Sequence, residues 1–158
     1  MNKVHIPMEE LMPLLQLQMD TAGRASLCVT GYSMLPMLHH NKDTVILEPI
    51  KETPKKGDLM LYRRINGAYI LHRILKEKPD HYICCGDNQF KKEIVAPAQM
   101  LAVVTAFTRN GKTYTNESKG YRRYVKFWVA LHPVRWLYLG PRRLLGWCNA
   151  KIRHMKRK

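Results

Sequence analysis

The chain has 158 residues, of which 46% are hydrophobic and 25% charged, a balance that fits one globular domain with a core and excludes a disordered chain. Its formal net charge is +15, and the surplus is uneven. Residues 1–119 contain 16 Lys and Arg against 12 Asp and Glu, whereas residues 120–158 contain 11 Lys and Arg and no acidic residue. The basic character is therefore mainly a property of the C-terminal segment.

Cysteine usage and hydropathy exclude further classes. The 4 cysteines include the adjacent Cys84 and Cys85 and form neither a disulfide framework nor paired CxxC motifs. We therefore expect a reducing compartment, buried strand thiols, and no metal or other cofactor. Acidic residues surround the short apolar run near the N-terminus, unlike a secretory signal. Without an apolar stretch of about 18 residues, no ordinary transmembrane helix is expected, and the sequence predicts a cytoplasmic protein.

The first predicted elements are a helix and two strands. Residues 7–20 have the apolar spacing of a helix that Pro13 should shorten or kink. The stretch "SLCVTG" (26–31) is typical of a strand that leads into "GYSMLPMLHH" (31–40). A second strand is predicted for "DTVILEPI" (43–50), which is rich in β-branched residues.

The middle of the chain predicts two hairpins with a strand between them. Apolar runs in 58–76 flank Asn66-Gly67, and those in 100–116 flank Asn110-Gly111. Asn-Gly supplies the positive φ angles that tight hairpin turns need. The stretch "HYICCGD" (81–87) predicts one more strand. The fold class is therefore mainly β, with helical pieces at both ends.

The candidate chemistry centres on Ser33. A serine hydroxyl becomes a good nucleophile when a neighbouring base takes its proton. His72 is the leading candidate, since strand alternation places it on one face with Ile70 and Ile74, and a neutral imidazole accepts a proton near pH 7. The other bases left open by the residues alone are His39, His40, His81, Lys42 and Lys76.

Four short motifs carry a resemblance to a known family. "GYSMLPML", "KKGDLMLY", "ILHRIL" and "CCGDNQ" follow the order of the conserved boxes of type I signal peptidases and their LexA-like self-cleaving relatives. The resemblance spans residues 25–108 and implies a partly open, β-barrel-like peptidase domain with a peptide-binding groove. That catalytic domain (25–118) would lie between an N-terminal helical lead (1–24) and a basic aromatic helical segment (119–158).

The resemblance also implies roles for individual residues. Ser33 matches the nucleophile, and His72 matches the general base. Met34 and Pro36 match residues that shape the serine turn and border the substrate. A histidine base is similar to the endoplasmic-reticulum-type branch, whereas bacterial-type and LexA-like members carry a lysine. Gly31 fits that branch because it has no hydroxyl for an oxyanion, which leaves the Ser33 N–H as the main donor.

A third catalytic residue is expected after the "GDN" motif. Ser-His relatives carry an acidic residue there that orients the histidine and offsets its positive charge. Glu93 stands at about the family's position, and Asp87 is the close alternative; where Glu93 has this role, Asp87 is expected to brace the active-site turn instead. Asp58 is expected to support a turn. The resemblance thus implies a serine endopeptidase that cleaves an extended peptide through an acyl-enzyme.

The chain departs from the family at both ends. It shows neither the N-terminal membrane span of signal peptidases nor the DNA-binding region of LexA-like repressors. The alternative interpretations are a non-catalytic peptide- or membrane-binding module and a LexA-like regulatory peptidase. Segment 120–158 mixes aromatic with basic side chains, which is typical of peripheral contact with an anionic membrane surface. Nucleic acid is the weaker expectation for this segment.

Overall fold

The computed structural model describes residues 6–135 and Leu137. Two helices, α1 (Met8–Ala22) and α2 (Lys119–Ala130), flank the strands. The strands are β1 (Ala25–Cys28), β2 (Thr44–Glu48), β3 (Leu59–Arg63), β4 (Tyr69–Glu77), β5 (Tyr82–Cys85), β6 (Glu93–Val95), β7 (Met100–Arg109) and β8 (Lys112–Thr115). Short 3-10 turns occupy Pro97–Gln99 and His132–Val134. The predicted mainly β fold with a helix at each end is confirmed.

All described strands join one antiparallel sheet that is not closed. Its order is β1-β2-β7-β3-β4-β5-β6, and β8 pairs with β7. The long strand β7 pairs with β3 through its first residues and with β8 through its last. Its central position explains how strands that are distant in sequence come to share one sheet.

The two Asn-Gly turns differ in geometry. Asn110 and Gly111 both have positive φ, 50° and 73°, and join β7 directly to β8 as predicted. In the first hairpin Gly67 has a φ of 86°, whereas Asn66 does not adopt positive φ, so that part of the prediction is wrong. A hydrogen bond from the Gly67 N–H to the Arg64 carbonyl closes a longer loop, which needs one left-handed residue only.

Helix α1 is longer than the sequence predicts. It runs for 15 residues through Pro13, which lies on the exposed side. The carbonyl of Glu9, which would otherwise accept the missing Pro13 N–H, is also on an exposed residue and can be hydrated. The opposite face buries Met12, Leu15 and Met19 against the sheet.

Alternation along β3 divides the core into two clusters. Leu61 belongs to the larger cluster, which also contains the buried face of α1. Met60 and Tyr62 point to the other side and pack with Ile74 and Cys84. His72 lies opposite Met60 across the β3–β4 pair, so it faces the second cluster. The predicted placement of His72 on one face with Ile70 and Ile74 is thereby confirmed.

Helix α2 confirms the predicted helical start of the C-terminal segment. One face packs on the body of the molecule, and the other exposes Arg122, Arg123, Lys126 and Phe127. The remaining aromatic and basic residues of the segment, at 136 and 138–158, lie outside the described residues, and the membrane contact stays a prediction. Within the described residues, no helix has the length and apolar character needed to cross a bilayer.

Candidate active site

Ser33 lies in the turn between β1 and β2 and is half-buried. The residue after it, Met34, is buried in the larger core cluster and anchors the turn from below. Pro36 is exposed and follows a cis peptide bond from Leu35. Met34 therefore supports the turn from inside the core, whereas Pro36 is at the surface, where an approaching chain can touch it.

Gly86 brings Ser33 and His72 to one place. A Cβ atom built on Gly86 would lie 2.6 Å from the Ser33 carbonyl oxygen and 3.0 Å from His72 Nε2. Real Cβ contacts are essentially never as short as 2.6 Å, so a residue larger than glycine would have to displace the Ser33 backbone. Among the described residues the Ser33 hydroxyl makes no direct hydrogen bond to His72. Such bonds often tighten only when substrate binds.

The turn after β5 holds the Ser33 segment. The Asn88 backbone N–H donates to the Ser33 carbonyl at 2.7 Å, and the Asn88 side-chain amide donates to the Tyr32 carbonyl at 3.1 Å. One asparagine thus fixes two consecutive carbonyls of the serine turn. The "GDN" motif supplies both the close approach at Gly86 and this clamp.

His72 is bound through its Nδ1 atom to a buried network. Nδ1 lies 3.1 Å from the Tyr62 hydroxyl, which donates to Glu93 Oε2 at 3.0 Å. Glu93 Oε1 itself lies 3.5 Å from Nδ1. An ionised carboxylate only accepts, so the tyrosine proton points to Glu93, and the tyrosine oxygen accepts from His72. The proton of neutral His72 therefore sits on Nδ1, which leaves the Nε2 lone pair facing Gly86 and the serine turn.

Burial and hydrogen bonds together keep His72 and Tyr62 neutral and Glu93 ionised at pH 7. Desolvation lowers the pKa of His72 to about 4, although Glu93 acts in the opposite direction, so the imidazole is neutral at pH 7. Burial alone would raise the pKa of Glu93, but hydrogen bonds from Arg64 and Tyr62 bring it below its ordinary value. Desolvation and the neighbouring Glu93 raise the pKa of Tyr62, which stays a neutral donor.

Arg64 is the ion-pair partner of Glu93. Its Nε donates to Glu93 Oε2 at 2.7 Å, and its Nη2 donates to Oε1. Arg64 immediately follows β3, and Glu93 opens the short strand β6. Strand β6 pairs with β5, with Glu93 opposite Cys84, and β5 pairs with β4, the strand that contains His72. These two pairings bring the Glu93 carboxylate close to His72.

Asp87 has a different environment. Its carboxylate accepts from Arg73 Nε at 2.9 Å and from Arg73 Nη2 at 2.8 Å, and both side chains are completely buried. Arg73 also donates to the Gly57 carbonyl at 2.8 Å. Burial lowers the pKa of Arg73, but the neighbouring Asp87 carboxylate more than offsets this effect, so the pKa of Arg73 is raised. No hydrogen bond among the described residues joins Asp87 to His72.

The three other histidines considered as bases, His39, His40 and His81, have partners other than Ser33. His39 Nδ1 lies 3.3 Å from Asp43 Oδ2, and His81 Nδ1 lies 2.8 Å from Asp80 Oδ1. His40 Nδ1 accepts from the Gly31 N–H at 2.9 Å. That bond occupies the Gly31 N–H, whereas no hydrogen bond of the described residues uses the Ser33 N–H. The Ser33 N–H is therefore left without a partner among the described residues.

Several nearby groups have structural roles or no reactive form. Asp58 accepts from the Lys55 N–H at 2.7 Å, as its predicted turn role requires. Burial raises the pKa of Cys84 to about 12 and that of Cys85 to about 11, so both are neutral thiols at pH 7. Among the described residues, no three His, Cys, Asp or Glu side chains form a group that could hold a metal ion.

An apolar groove is lined by residues of α1, β1, β3 and β4. Its volume is about 540 Å³. It is lined by Ile6, Met8, Leu11, Ser26, Leu27, Cys28, Val29, Thr30, Asn41, Leu61, Tyr69 and Leu71. Strand β1 ends the sheet, and β4 pairs with β5 only from Arg73 onward, so both strands present unpaired backbone to the groove. Val29 and Thr30 precede the Ser33 turn in sequence, and Leu71 directly precedes His72, but neither Ser33 nor His72 lines the groove itself.

Sequence reasoning brought Ser33, His72, Glu93 and Asp87 to one region but missed their partners. Tyr62 and Arg64 carry no motif of their own, and alternation along β3 is the only signal that could have placed Tyr62 on the face of His72. Comparison with known proteins adds no identity, because no family model, curated protein or solved structure matches this chain. The functional inference therefore rests on the residues above.

Proposed function

We propose that the chain is a serine endopeptidase in which Ser33 is the nucleophile and His72 the general base. The observation that carries the proposal is that the Ser33 backbone carbonyl and His72 Nε2 both lie within about 3 Å of one point beside Gly86. A buried, neutral imidazole and an ordered Nδ1 partner are what general-base catalysis by histidine needs. A peptidase fold of the type I signal peptidase and LexA-like kind is part of the same proposal.

In the proposed reaction Ser33 Oγ attacks the carbonyl carbon of the scissile peptide bond while His72 Nε2 takes the hydroxyl proton. The resulting oxyanion accepts from the Ser33 N–H. When the C–N bond breaks, His72 returns the proton to the leaving amine, and the acyl group remains on Ser33 as an ester. A water molecule then attacks the ester, His72 takes its proton, and Ser33 regains it as the acid product leaves.

Glu93 and Tyr62 stabilise the imidazolium that forms during each proton transfer. The Tyr62 oxygen accepts a hydrogen bond from His72 Nδ1–H, and the Tyr62 hydroxyl donates one to the Glu93 carboxylate. Glu93 is the third member of the proposed catalytic group, acting through Tyr62 and through its charge 3.5 Å from Nδ1. Asp87 serves instead in a buried ion pair with Arg73.

The substrate is proposed to bind as an extended strand in the groove. Unpaired backbone on β1 and on the first residues of β4 offers hydrogen bonds to a peptide strand laid between them. The groove wall is made mostly of apolar side chains such as Leu27, Val29 and Leu71, which favours apolar or small substrate residues on that side. No cofactor or metal takes part in this scheme.

A serine-directed probe and peptide cleavage test the proposal together. The purified chain is incubated with a fluorophosphonate, and the modified residue is identified by mass spectrometry. The same samples are incubated with a peptide library from a digested proteome, and new termini are identified. We expect labelling at Ser33 and cleavage by the wild type, and neither in Ser33→Ala. In His72→Gln both rates should fall on the order of 10²–10⁴-fold.

His81→Gln is the matched control, since His81 is a histidine paired to an aspartate outside the site. Its labelling and cleavage rates should equal those of the wild type. Cleavage by Ser33→Ala would contradict the proposal that Ser33 is the nucleophile. A wild type that is not labelled at Ser33 and cleaves no peptide would contradict the peptidase function. Peptide binding without cleavage in that case would indicate the non-catalytic binding module.

A further inference from the structure

Side chains of the C-terminal segment donate hydrogen bonds to the turn that follows β5. Trp128 Nε1 donates to the Asp87 backbone carbonyl at 3.1 Å, and Arg135 Nη1 donates to the same oxygen at 3.2 Å. Tyr124 donates its hydroxyl to the Asp87 carboxylate at 3.2 Å. Three side chains from a segment that follows the sheet in sequence thus converge on one residue of the "GDN" motif.

The two donors to the Asp87 carbonyl act on a single rigid group. The Asp87 C=O and the Asn88 N–H belong to one planar peptide unit, in which they point in opposite directions. On one side the carbonyl accepts from Trp128 and Arg135, and on the other side the Asn88 N–H donates to the Ser33 carbonyl at 2.7 Å. Hydrogen bonds at both ends of an amide polarise it and strengthen each other. The peptide unit therefore connects the C-terminal segment mechanically to the serine turn.

The donors themselves are held firmly. Arg135 is only 3% exposed, and its guanidinium carbon lies 4.9 Å from the centre of the Trp128 ring. Its Nη2 also donates to the Trp128 carbonyl at 2.6 Å. The Trp128 ring in turn stacks on Tyr124, with ring centres 5.6 Å apart. A buried guanidinium bonded mainly to backbone carbonyls fixes their direction with a planar, preorganised donor.

We propose that Trp128 and Arg135 are positioning residues for Ser33, acting through the Asp87–Asn88 peptide unit. This inference rests on the proposed peptidase function for its kinetic consequence. Loss of either donor lets the peptide unit rotate, which releases the Ser33 carbonyl and moves the hydroxyl relative to His72 Nε2. A displacement of this kind lowers the chemical rate constant and leaves substrate binding in the groove nearly unchanged.

Two variants remove one donor each. Trp128→Phe keeps an aromatic ring for stacking but loses the indole N–H, and Arg135→Met keeps much of the buried volume but loses the guanidinium. Phe127→Leu and Arg122→Met are the matched controls, because both residues are on the exposed face of α2. All variants are made in the full chain and compared at equal folded fraction, as judged by urea unfolding.

The first measurement is independent of catalysis. Amide hydrogen exchange followed by NMR should show the Asn88 N–H exchanging at least about tenfold faster in Trp128→Phe and Arg135→Met than in the controls. The second measurement is kinetic. For the same two variants, kcat and the fluorophosphonate labelling rate at Ser33 should fall about tenfold with KM within twofold of the wild type.

The two failures are distinguishable. If the wild type neither cleaves nor labels, the peptidase function fails, and Asn88 exchange alone decides whether the C-terminal segment holds the serine turn. Asn88 exchange equal to that of the controls in both variants would overturn the positioning role. A wild type that cleaves, together with unchanged kcat and labelling in both variants, would overturn it as well. Should Arg135→Met fail to fold, Trp128→Phe provides both measurements.

Discussion

Glu93 and Asp87 are two carboxylates near the same histidine, and their surroundings differ sharply. Glu93 is 13% exposed, lies at the start of a three-residue strand and pairs with the partly exposed Arg64. Asp87 is completely buried and pairs with the completely buried Arg73. Glu93 reaches His72 through Tyr62, whereas the Asp87 carboxylate accepts from Arg73 and Tyr124.

Under the proposed function, the difference assigns the two carboxylates different roles, Asp87 in stability and Glu93 in the reaction. A fully desolvated ion pair depends on both partners, because the loss of one leaves an uncompensated charge in the core. Glu93 instead pairs with Arg64, which is 39% exposed, so water can solvate the arginine when the carboxylate charge is lost. Charge near a histidine is therefore not enough to assign a catalytic role; the hydrogen-bond path and the burial of the counter-ion decide it.

The largest predicted effect concerns folding of the Asp87 region. Asp87→Asn should lower the free energy of unfolding by about 3–5 kcal/mol, because Arg73 becomes a buried cation without a carboxylate. Glu93→Gln should lower it by less than about 1 kcal/mol, because Arg64 is 39% exposed and can be hydrated. Urea unfolding of the full chain measures both values. A larger loss in Glu93→Gln than in Asp87→Asn would reverse the assignment of the two carboxylates.

The second prediction concerns the rate of the proposed reaction. Glu93→Gln removes the charge that offsets the imidazolium, and kcat/KM should fall on the order of 10²-fold. Tyr62→Phe should give a similar loss, because it removes the group that fixes the Nδ1 proton. Both are measured with a peptide that the wild type cleaves.

Asp80→Asn is the control, since Asp80 is an exposed carboxylate paired with His81. It should leave kcat/KM unchanged. Wild-type kcat/KM in both Glu93→Gln and Tyr62→Phe, measured on fully folded samples, would remove the Tyr62–Glu93 network from the mechanism.

Much of the frame of this comparison follows from local sequence patterns. Alternation in "YILHRIL" placed His72 correctly, because strand side chains point to opposite faces in a fixed period. Asn110-Gly111 predicted its hairpin turn for the same local reason, since both residues tolerate positive φ. The candidate residues Ser33, His72, Glu93 and Asp87 were all named from the sequence.

The division of work between Glu93 and Asp87 was beyond the sequence. Strand β6 has three residues and too little pattern to recognise, and its pairing with β5 is what brings Glu93 close to His72. The partner choices join residues that are far apart along the chain, such as Arg64 with Glu93 and Tyr124 with Asp87. Such pairs are set by sheet register and helix docking, which no local pattern encodes.

The smallest predicted effect is a shift in the pH dependence of kcat/KM. Desolvation lowers the pKa of His72 to about 4, so the wild-type rate should stay flat from pH 7 to about pH 5 and halve near pH 4. The Glu93 charge raises this pKa, and the Asp87 charge does so less. Glu93→Gln should therefore move the acid limb to lower pH, and by more than Asp87→Asn does.

The acid limb must be separated from acid unfolding. An unfolded histidine takes up its proton near pH 6.5, and folded His72 does so near pH 4, so the free energy of unfolding falls as pH drops through this window. His132, whose pKa burial also lowers to about 4, acts in the same direction. Near-UV circular dichroism at each pH identifies the range in which the chain is folded. Within that range, a wild-type limb near pH 6.5 would mean that His72 is hydrated in the working enzyme. A shift to higher pH in Glu93→Gln would mean that the Glu93 charge does not act on the base.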